Sequence, residues 1–119
     1  MFLGGRREWA KGMRVIAYEL ELDDTALEWE RIRIETEAGQ VTGFLVQHET
    51  TIEDQRIPVI RYETAHGFAH RDVLGRRGEI IAKQPMASHL SLQDALAHGM
   101  RDVRENWRRY RRDFLGEQS

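Results

Sequence analysis

An apolar stripe near the C-terminal end of this 119-residue chain predicts a long helix with one buried face. Apolar residues recur there in steps of 4, 4, 3, 4, 3 and 4, the spacing of one face of an α-helix. The stripe consists of Leu92, Leu96, Met100, Val103, Trp107, Tyr110 and Phe114. Ser91 precedes it as a helix N-cap and Gly116 follows it as a C-terminal cap. Gly99 falls on the buried side of this helix, where it would allow close approach to a sheet.

The residues before the helix alternate between apolar and polar side chains, the period-two pattern of half-buried β-strands. The predicted strands cover residues 13–22, 27–37, 41–52, 56–63, 69–74 and 79–83. Trp29 is out of phase with Ile32, which favours a bulge near Glu30. Pro58 cannot donate a ladder hydrogen bond, so its part of the fourth strand should lie at an edge or a bulge. The predicted fold class is α+β: a curved antiparallel β-meander of about five or six strands with one long C-terminal helix packed across it.

Composition predicts one soluble domain. Residues 1–12 lack periodicity and are predicted to form a loose N-terminal arm, followed by a single domain at residues 13–119. No apolar run approaches the roughly 18 residues of a membrane span, and we find no secretion signal. The chain has no cysteine, which excludes disulfides, thiolate metal sites and cysteine nucleophiles. We therefore predict a cytoplasmic protein with no membrane partner.

The densest polar cluster occupies residues 61–72, at the junction of two predicted strands. One hypothesis is metal-independent cleavage of RNA, which needs a base, an acid and a cation for the phosphate. His66 and His70 would transfer protons, because histidine titrates near neutral pH. Arg61 and Arg71 would stabilise the charge on the phosphate.

Two further residues would support this chemistry. Tyr62 offers an additional proton donor, and Asp72 could orient an imidazole. The full set of candidate catalytic residues is Arg61, Tyr62, His66, His70, Arg71 and Asp72. This hypothesis requires no cofactor, and whether the chain is an enzyme at all stays open.

Two alternatives remain open for the same residues. The cluster can be a salt-bridged structural turn at Gly67 in a non-catalytic interaction module. It can also bind a metal ion through nitrogen and oxygen ligands. The ligands would come from His48, Glu63, His66, His70 and Asp72.

Charge is distributed unevenly along the chain. Residues 1–54 carry twelve acids against six bases, whereas residues 55–119 carry twelve bases against eight acids. The basic surplus is concentrated in the C-terminal helix, beside Trp107 and Tyr110. The candidate nucleic-acid-binding residues are Arg104, Arg108, Arg111 and Arg112. Such a face could bind RNA or an acidic protein surface, or it could simply be solvated.

The polar cluster also resembles a known family. The run Arg61-Tyr62-Glu63-Thr64-Ala65-His66-Gly67, with His70-Arg71 after it, resembles small bacterial and archaeal domains of unknown function. Those domains carry an Arg-Tyr-Asp-x-Ala-His-Gly stretch and then a His-Arg pair. The run Glu105-Asn106-Trp107-Arg108-Arg109-Tyr110 is similar to the same family, so the resemblance covers about residues 41–115.

A looser similarity links the chain to TumE-type toxins of bacterial toxin–antitoxin pairs. Tyr62-Glu63 would occupy the Tyr-Asp positions of that family and His70-Arg71 its His-Arg positions. Asp72 stands where the toxin pattern has a further histidine. The resemblance implies a toxin-like domain that binds or cleaves RNA and has a cognate antitoxin or another protein partner. A homodimer is also left open.

Overall fold

The computed structural model describes residues 6–8, 12–65 and 67–116. It contains seven strands and one helix within these ranges. They are β1 (Arg6–Glu8), β2 (Met13–Glu21), β3 (Glu28–Glu37), β4 (Gln40–Ile52), β5 (Gln55–Ala65), β6 (Phe68–Leu74), β7 (Ile80–Pro85) and α1 (Leu92–Phe114).

The strands form one sheet in which spatial order follows chain order from β1 to β7. Every neighbouring pair is antiparallel, as short connections require. The predicted α+β meander with one C-terminal helix is confirmed. The structure adds β1, which pairs with β2 inside the stretch predicted as a loose arm. The remaining residues of that stretch, 1–5 and 9–11, lie outside the described residues.

Register shifts occur at three places in the described sheet. One lies between His48 and Glu49 opposite Pro58, which confirms the prediction that Pro58 sits at a bulge. The predicted bulge near Glu30 is wrong, because β3 pairs without a shift from Trp29 to Glu35 on both sides. The strand keeps its phase there because Glu28 and Glu30 point toward the helix, where arginines of α1 meet them.

The core lies between one face of the sheet and α1. Its buried members include Ile32, Phe44, Val46, Val59, Ile60, Tyr62, Ala95, Leu96, Val103 and Tyr110. The helix begins as predicted, since the backbone N–H of Asp94 donates to Ser91 Oγ at 3.0 Å. Within the described residues, no helix combines the length and the apolarity that crossing a membrane requires.

Candidate functional site

The alternation of β5 and β6 divides the predicted catalytic cluster between the two faces of the sheet. Tyr62 pairs directly with Arg71, and both side chains face α1. Arg61 pairs directly with Asp72, and both face away from the helix, as His70 does. The structure therefore brings together two smaller groups rather than one.

The division of the cluster between the two faces of the sheet affects the predicted proton-transfer chemistry of His66 and His70. His66 lies outside the described residues, so its role beside His70 stays a prediction. His70 and Arg71 are neighbours in β6, and their side chains point to opposite faces of the sheet. One phosphate group cannot contact both of them.

On the helix face, Tyr62 belongs to a hydrogen-bond network centred on Asp102 of α1. The hydroxyl groups of Tyr62 and Tyr110 both donate to Asp102 Oδ2, each at 2.6 Å. Asn106 Nδ2 donates to the other oxygen, Asp102 Oδ1, at 2.7 Å. This network attaches α1 to β5 through a carboxylate that accepts three donors.

The protonation states in this network follow from burial and hydrogen bonding. Burial, and then the hydrogen bond to Asp102, raise the pKa of the Tyr62 hydroxyl far above its usual range. Burial by itself would raise the pKa of Asp102, but the bonds from Tyr110, Tyr62 and Asn106 outweigh it and leave that pKa lowered. At neutral pH the network is an ionised carboxylate with two protonated tyrosines, so Tyr62 keeps its proton and donates it in the hydrogen bond to Asp102.

A cleft of about 620 Å³ opens beside the network, between the C-terminal end of α1 and the β6–β7 hairpin. We call it the arginine cleft, after Arg71, Arg76, Arg77 and Arg109 in its lining. Its apolar lining comes from Val59, Ile60, Val73, Leu74, Ile81 and Phe114. Two acids, Glu79 and Asp113, also line it, so its arginines outnumber its carboxylates.

Three of the four guanidinium groups of the cleft lie over aromatic rings. Arg71 and Arg109 lie 5.1 and 5.2 Å from the ring centroid of Tyr110, and Arg76 lies 5.6 Å from that of Phe114. Arg71 also donates to Gln84 Oε1 at 2.9 Å. None of these three arginines takes part in the ion pairs formed among the described residues.

Arg71 stays cationic in this setting. Burial lowers its pKa, but the hydrogen bond with Tyr110 and the negative charges that Tyr110, Tyr62 and Asp102 carry when ionised outweigh burial and leave the pKa above its ordinary value. The cleft therefore presents a fixed positive charge on an apolar floor.

Two of the predicted nucleic-acid-binding arginines hold the helix to the sheet. Arg104 Nε donates to Glu30 Oε1 at 2.8 Å, and Arg111 Nε lies 3.3 Å from Glu28 Oε2. Both glutamates are buried, so these pairs neutralise charges inside the helix–sheet interface. Arg104 and Arg111 are thereby engaged within the domain.

The other two predicted arginines have no such partner among the residues that the structure covers. Arg108 is exposed, with its guanidinium 4.5 Å from the ring centroid of Trp107. Arg112 is half-buried near the end of α1, one helical turn after Arg109. Arg112 and Arg109 are therefore neighbours on the helix surface.

His48, one of the residues considered as a metal ligand, lies on the helix face. Its Nε2 lies 2.9 Å from Glu28 Oε1, and Thr50 donates to Glu28 Oε2 at 2.6 Å. All three side chains are buried. The structure therefore places His48 across the sheet from His70 and Asp72.

The opposite face of the sheet carries a polar network around Glu49. Arg31 Nε and Gln47 Nε2 both donate to Glu49 Oε2, at 2.8 and 2.7 Å. Arg56 adds a contact of 2.9 Å to Glu49 Oε1. Burial acts to raise the pKa of Glu49, but these donors outweigh it and leave the pKa lowered.

Next to this network, Glu63, His70 and Asp72 form a separate cluster. His70 Nε2 lies 3.4 Å from Glu63 Oε1 and 3.6 Å from Asp72 Oδ2. Potential ligand atoms of all three residues lie within 4.8 Å of one another. Arg61, predicted to stabilise a phosphate here, instead donates through Nε to Gln47 Oε1 at 2.7 Å.

Sequence reasoning missed Asp102, Arg76 and Arg109 as members of the helix-face site. Asp102 falls on the flank of the apolar stripe, and its role becomes visible only when Tyr62 of β5 is placed opposite α1. Arg76 stands in the turn between β6 and β7, which the sequence marks with glycines on both sides. A pairing of that turn with the end of the helix could have been proposed from the sheet order.

The fold and these contacts define a small α+β domain with a cationic cleft on the helix face and an acid–histidine cluster on the other. Residues 8–119 match the family described as a domain of unknown function (DUF7718), and the chain belongs to that family. No curated protein and no solved structure matches the chain. The expectation of a family without an assigned function is confirmed, whereas the similarity to TumE-type toxins stays a prediction.

Proposed function

We propose that the protein binds single-stranded RNA through the arginine cleft. The observation that carries this proposal is the set of three guanidinium groups, on Arg71, Arg76 and Arg109, that lie over aromatic rings and form no ion pair with the described residues. A guanidinium fork binds phosphate through two parallel hydrogen bonds. Aromatic rings and guanidinium planes also stack on unpaired bases.

The shape of the cleft favours a nucleotide over an acidic protein surface. A cavity of about 620 Å³ has the size of sites that enclose small organic ligands. Its apolar floor would receive a base while the arginines at its margin bind the phosphate. A protein surface with scattered acids would meet the charges but would leave the cavity unfilled.

Arg112 and Arg108 would extend the path of the strand beyond the cleft. Arg112 follows Arg109 by one turn on the helix surface, and Arg108 is exposed beside Trp107. A flexible single strand could follow these charges with its backbone. A duplex would hide the base edges and faces that the cleft is suited to receive.

The proposal is limited to binding. Cleavage through His66, His70 and Arg71 acting together would require His70 and Arg71 on one side of the sheet, and they lie on opposite sides. The similarity of residues 61–72 to TumE-type toxins supports a toxin-like setting for this binding, in which a cognate antitoxin covers the cleft.

Fluorescence anisotropy with a labelled single-stranded RNA tests the binding. We expect saturable binding by the full chain, weakened about tenfold by Arg76→Ala and by Arg109→Ala, as for loss of a charged hydrogen-bond partner. Arg33→Ala is the matched control, because Arg33 pairs with Glu35 on β3 and points away from the helix. Duplex RNA and single-stranded DNA of the same sequence should be tested as competitors.

Two outcomes would overturn the proposal. One is no saturable binding up to about 100 µM RNA, the weak end of non-specific affinities. The other is an equal loss of RNA affinity in Arg33→Ala and in the cleft variants, which would indicate a diffuse charge effect. Either outcome would favour the alternative of a protein-interaction module.

A growth assay tests the toxin-like setting separately. Induced expression of the parent chain should slow bacterial growth, and the double variant Arg76→Ala, Arg109→Ala should relieve the defect. His70→Ala should leave the defect in place, because His70 lies on the other face of the sheet. Normal growth with the parent chain would count against a toxin while leaving RNA binding to the anisotropy measurement.

A further inference from the structure

Asp72 is a buried carboxylate that the described residues do not satisfy. It is 0% exposed, and neither of its side-chain oxygens has a hydrogen-bond partner in the described part of the chain. Glu49 on the same face is 5% exposed but accepts hydrogen bonds from Arg31 and Gln47. Burying an ionised carboxylate without such partners is strongly unfavourable, so an ionised Asp72 requires a cation beside it.

The protein cations nearest to Asp72 in the sheet register do not meet this requirement. Arg61 is its direct partner on β5, but the Arg61 Nε–H donates to Gln47. Lys83 is its direct partner on β7, and its side chain is exposed without an ion pair to Asp72. Among the residues that the structure describes, the basic nitrogen in ion-pair range of Asp72 is His70 Nε2, at 3.6 Å from Oδ2.

The distances around His70 Nε2 are those of shared metal ligands rather than of hydrogen bonds. The separations of 3.4 Å to Glu63 Oε1 and 3.6 Å to Asp72 Oδ2 both exceed the usual hydrogen-bond range. Two ligand atoms bound to one zinc ion at about 2.0–2.2 Å, at a tetrahedral angle, lie about 3.3–3.6 Å apart. The His70 Nε2 atom itself is buried and without a hydrogen-bond partner.

We propose that Glu63, His70 and Asp72 bind a divalent first-row transition-metal ion, with zinc as the ion that fits best. One imidazole nitrogen and two carboxylate oxygens form a mixed ligand set that such ions accept. Mg²⁺ is disfavoured, because it prefers an all-oxygen octahedral shell that keeps several waters. Three protein ligands leave a fourth position for water or for a substrate atom.

The sheet holds these ligands in place before metal binds. Glu63 and His70 are direct cross-strand neighbours, and Asp72 follows His70 by two residues on the same face. Asp72 and His70 are buried, whereas the Glu63 side chain is 32% exposed, so one side of the site is open to solvent. The site is on the opposite face from the arginine cleft, so it stands independently of RNA binding.

Titration of the EDTA-treated full chain with Co²⁺ tests the proposal, because cobalt replaces zinc and absorbs visible light when protein ligands bind it. We expect one Co²⁺ per chain, displaced by Zn²⁺ and not by Mg²⁺. His70→Ala and Glu63→Gln should each weaken binding by at least about tenfold. Zn²⁺ should also raise the Tm of the parent chain, and at the same Zn²⁺ concentration it should raise the Tm of both variants less.

The chain offers matched controls for both substitutions. Glu35→Gln removes a carboxylate with the same 32% side-chain exposure as Glu63, and His89→Ala removes an exposed histidine. Both controls should bind Co²⁺ as the parent does. Glu63→Gln preserves side-chain size at a partly exposed position, so its fold should survive.

Three results would overturn the proposal. They are no saturable one-to-one binding by the parent chain, binding by His70→Ala and Glu63→Gln that equals that of the parent, and equal losses in the two controls. The first would assign the cluster to the competing arrangement, in which His70 lies between the two carboxylates without a metal ion.

Discussion

Gly99 of α1 lies directly against the ring of Tyr62 on β5. A β-carbon at Gly99 would stand 3.0 Å from Tyr62 Cγ and 3.1 Å from Tyr62 Cβ. Tyr62 has little room to retreat, because it is 2% exposed and its hydroxyl donates to Asp102. Because glycine has no side chain, Gly99 allows α1 to lie this close to the sheet. This distance in turn sets the position of the arginine cleft.

Gly99→Ala should lower the free energy of unfolding. Alanine favours a helix over glycine by about 1 kcal/mol, but overpacking of a fixed core contact costs about 1–3 kcal/mol, so we expect a net loss. Urea denaturation measures it. Ala97→Gly at a neighbouring exposed position measures only the difference in helix preference between alanine and glycine. It should lower the free energy of unfolding by about 1 kcal/mol. A gain in stability for Gly99→Ala would mean that Tyr62 can move.

The protein should lose stability in acid as Asp102 becomes protonated. Its pKa in the folded protein is lowered, because the hydrogen bonds from the tyrosines and Asn106 outweigh the effect of burial. The unfolded value is about 3.9. A lowered pKa contributes stability that is present above the unfolded value and is lost as pH falls through the folded value.

We therefore expect the free energy of unfolding of the parent chain to fall more steeply below about pH 4 than that of Asp102→Asn. Denaturation curves from neutral to acidic pH give this difference. The effects of the other acids cancel, because both proteins contain them. Parallel pH profiles for the two proteins would show that the network contributes no ionised carboxylate.

Local pattern predicted the elements of this fold, and the contacts between distant elements had to come from the structure. The helix begins directly after its N-cap Ser91 and the bulge lies opposite Pro58, because caps and prolines act on the residues next to them. Glu28 and Glu30 are acidic, yet they are buried and face α1. Their partners on α1 are far along the chain, so no local pattern identifies them.

In the candidate site, too, local pattern predicts one part of the arrangement, and the contacts between strands decide the rest. Arg61 and Tyr62 had to face opposite sides of a strand, so alternation alone predicts that the polar cluster divides. The pairing of Glu63 with His70 depends on the turn between β5 and β6, which contains Gly67 with φ +81°. The register of that turn, rather than the residue types, decides which side chains meet.

Glu30→Gln should stabilise the protein at neutral pH. Burial raises the pKa of Glu30 above its unfolded value of about 4.3, and the bond from Arg104 compensates only in part. A raised pKa contributes stability that is present below the unfolded value and is lost as pH rises through the folded value. Glutamine keeps an oxygen for Arg104 and carries no charge to desolvate.

The expected gain in the free energy of unfolding should shrink as pH falls below about 4, where Glu30 is protonated in both states. Glu37→Gln, at an exposed position of the same strand, is the control and should change little at either pH. A large loss of stability in Glu30→Gln at neutral pH would show that the ion pair with Arg104 outweighs its desolvation.

The salt dependence of RNA binding should give the number of phosphate contacts made by the arginine cleft. Each cation that neutralises one phosphate of a single strand contributes about 0.7 to the slope of log Kobs against log salt concentration. Arg76→Ala and Arg109→Ala should therefore each reduce the slope by about 0.7, and together by about 1.4. Arg33→Ala, on the opposite face of the sheet, should leave the slope unchanged. Weaker binding with an unchanged slope would mean that Arg76 and Arg109 act by stacking rather than by contact with phosphate.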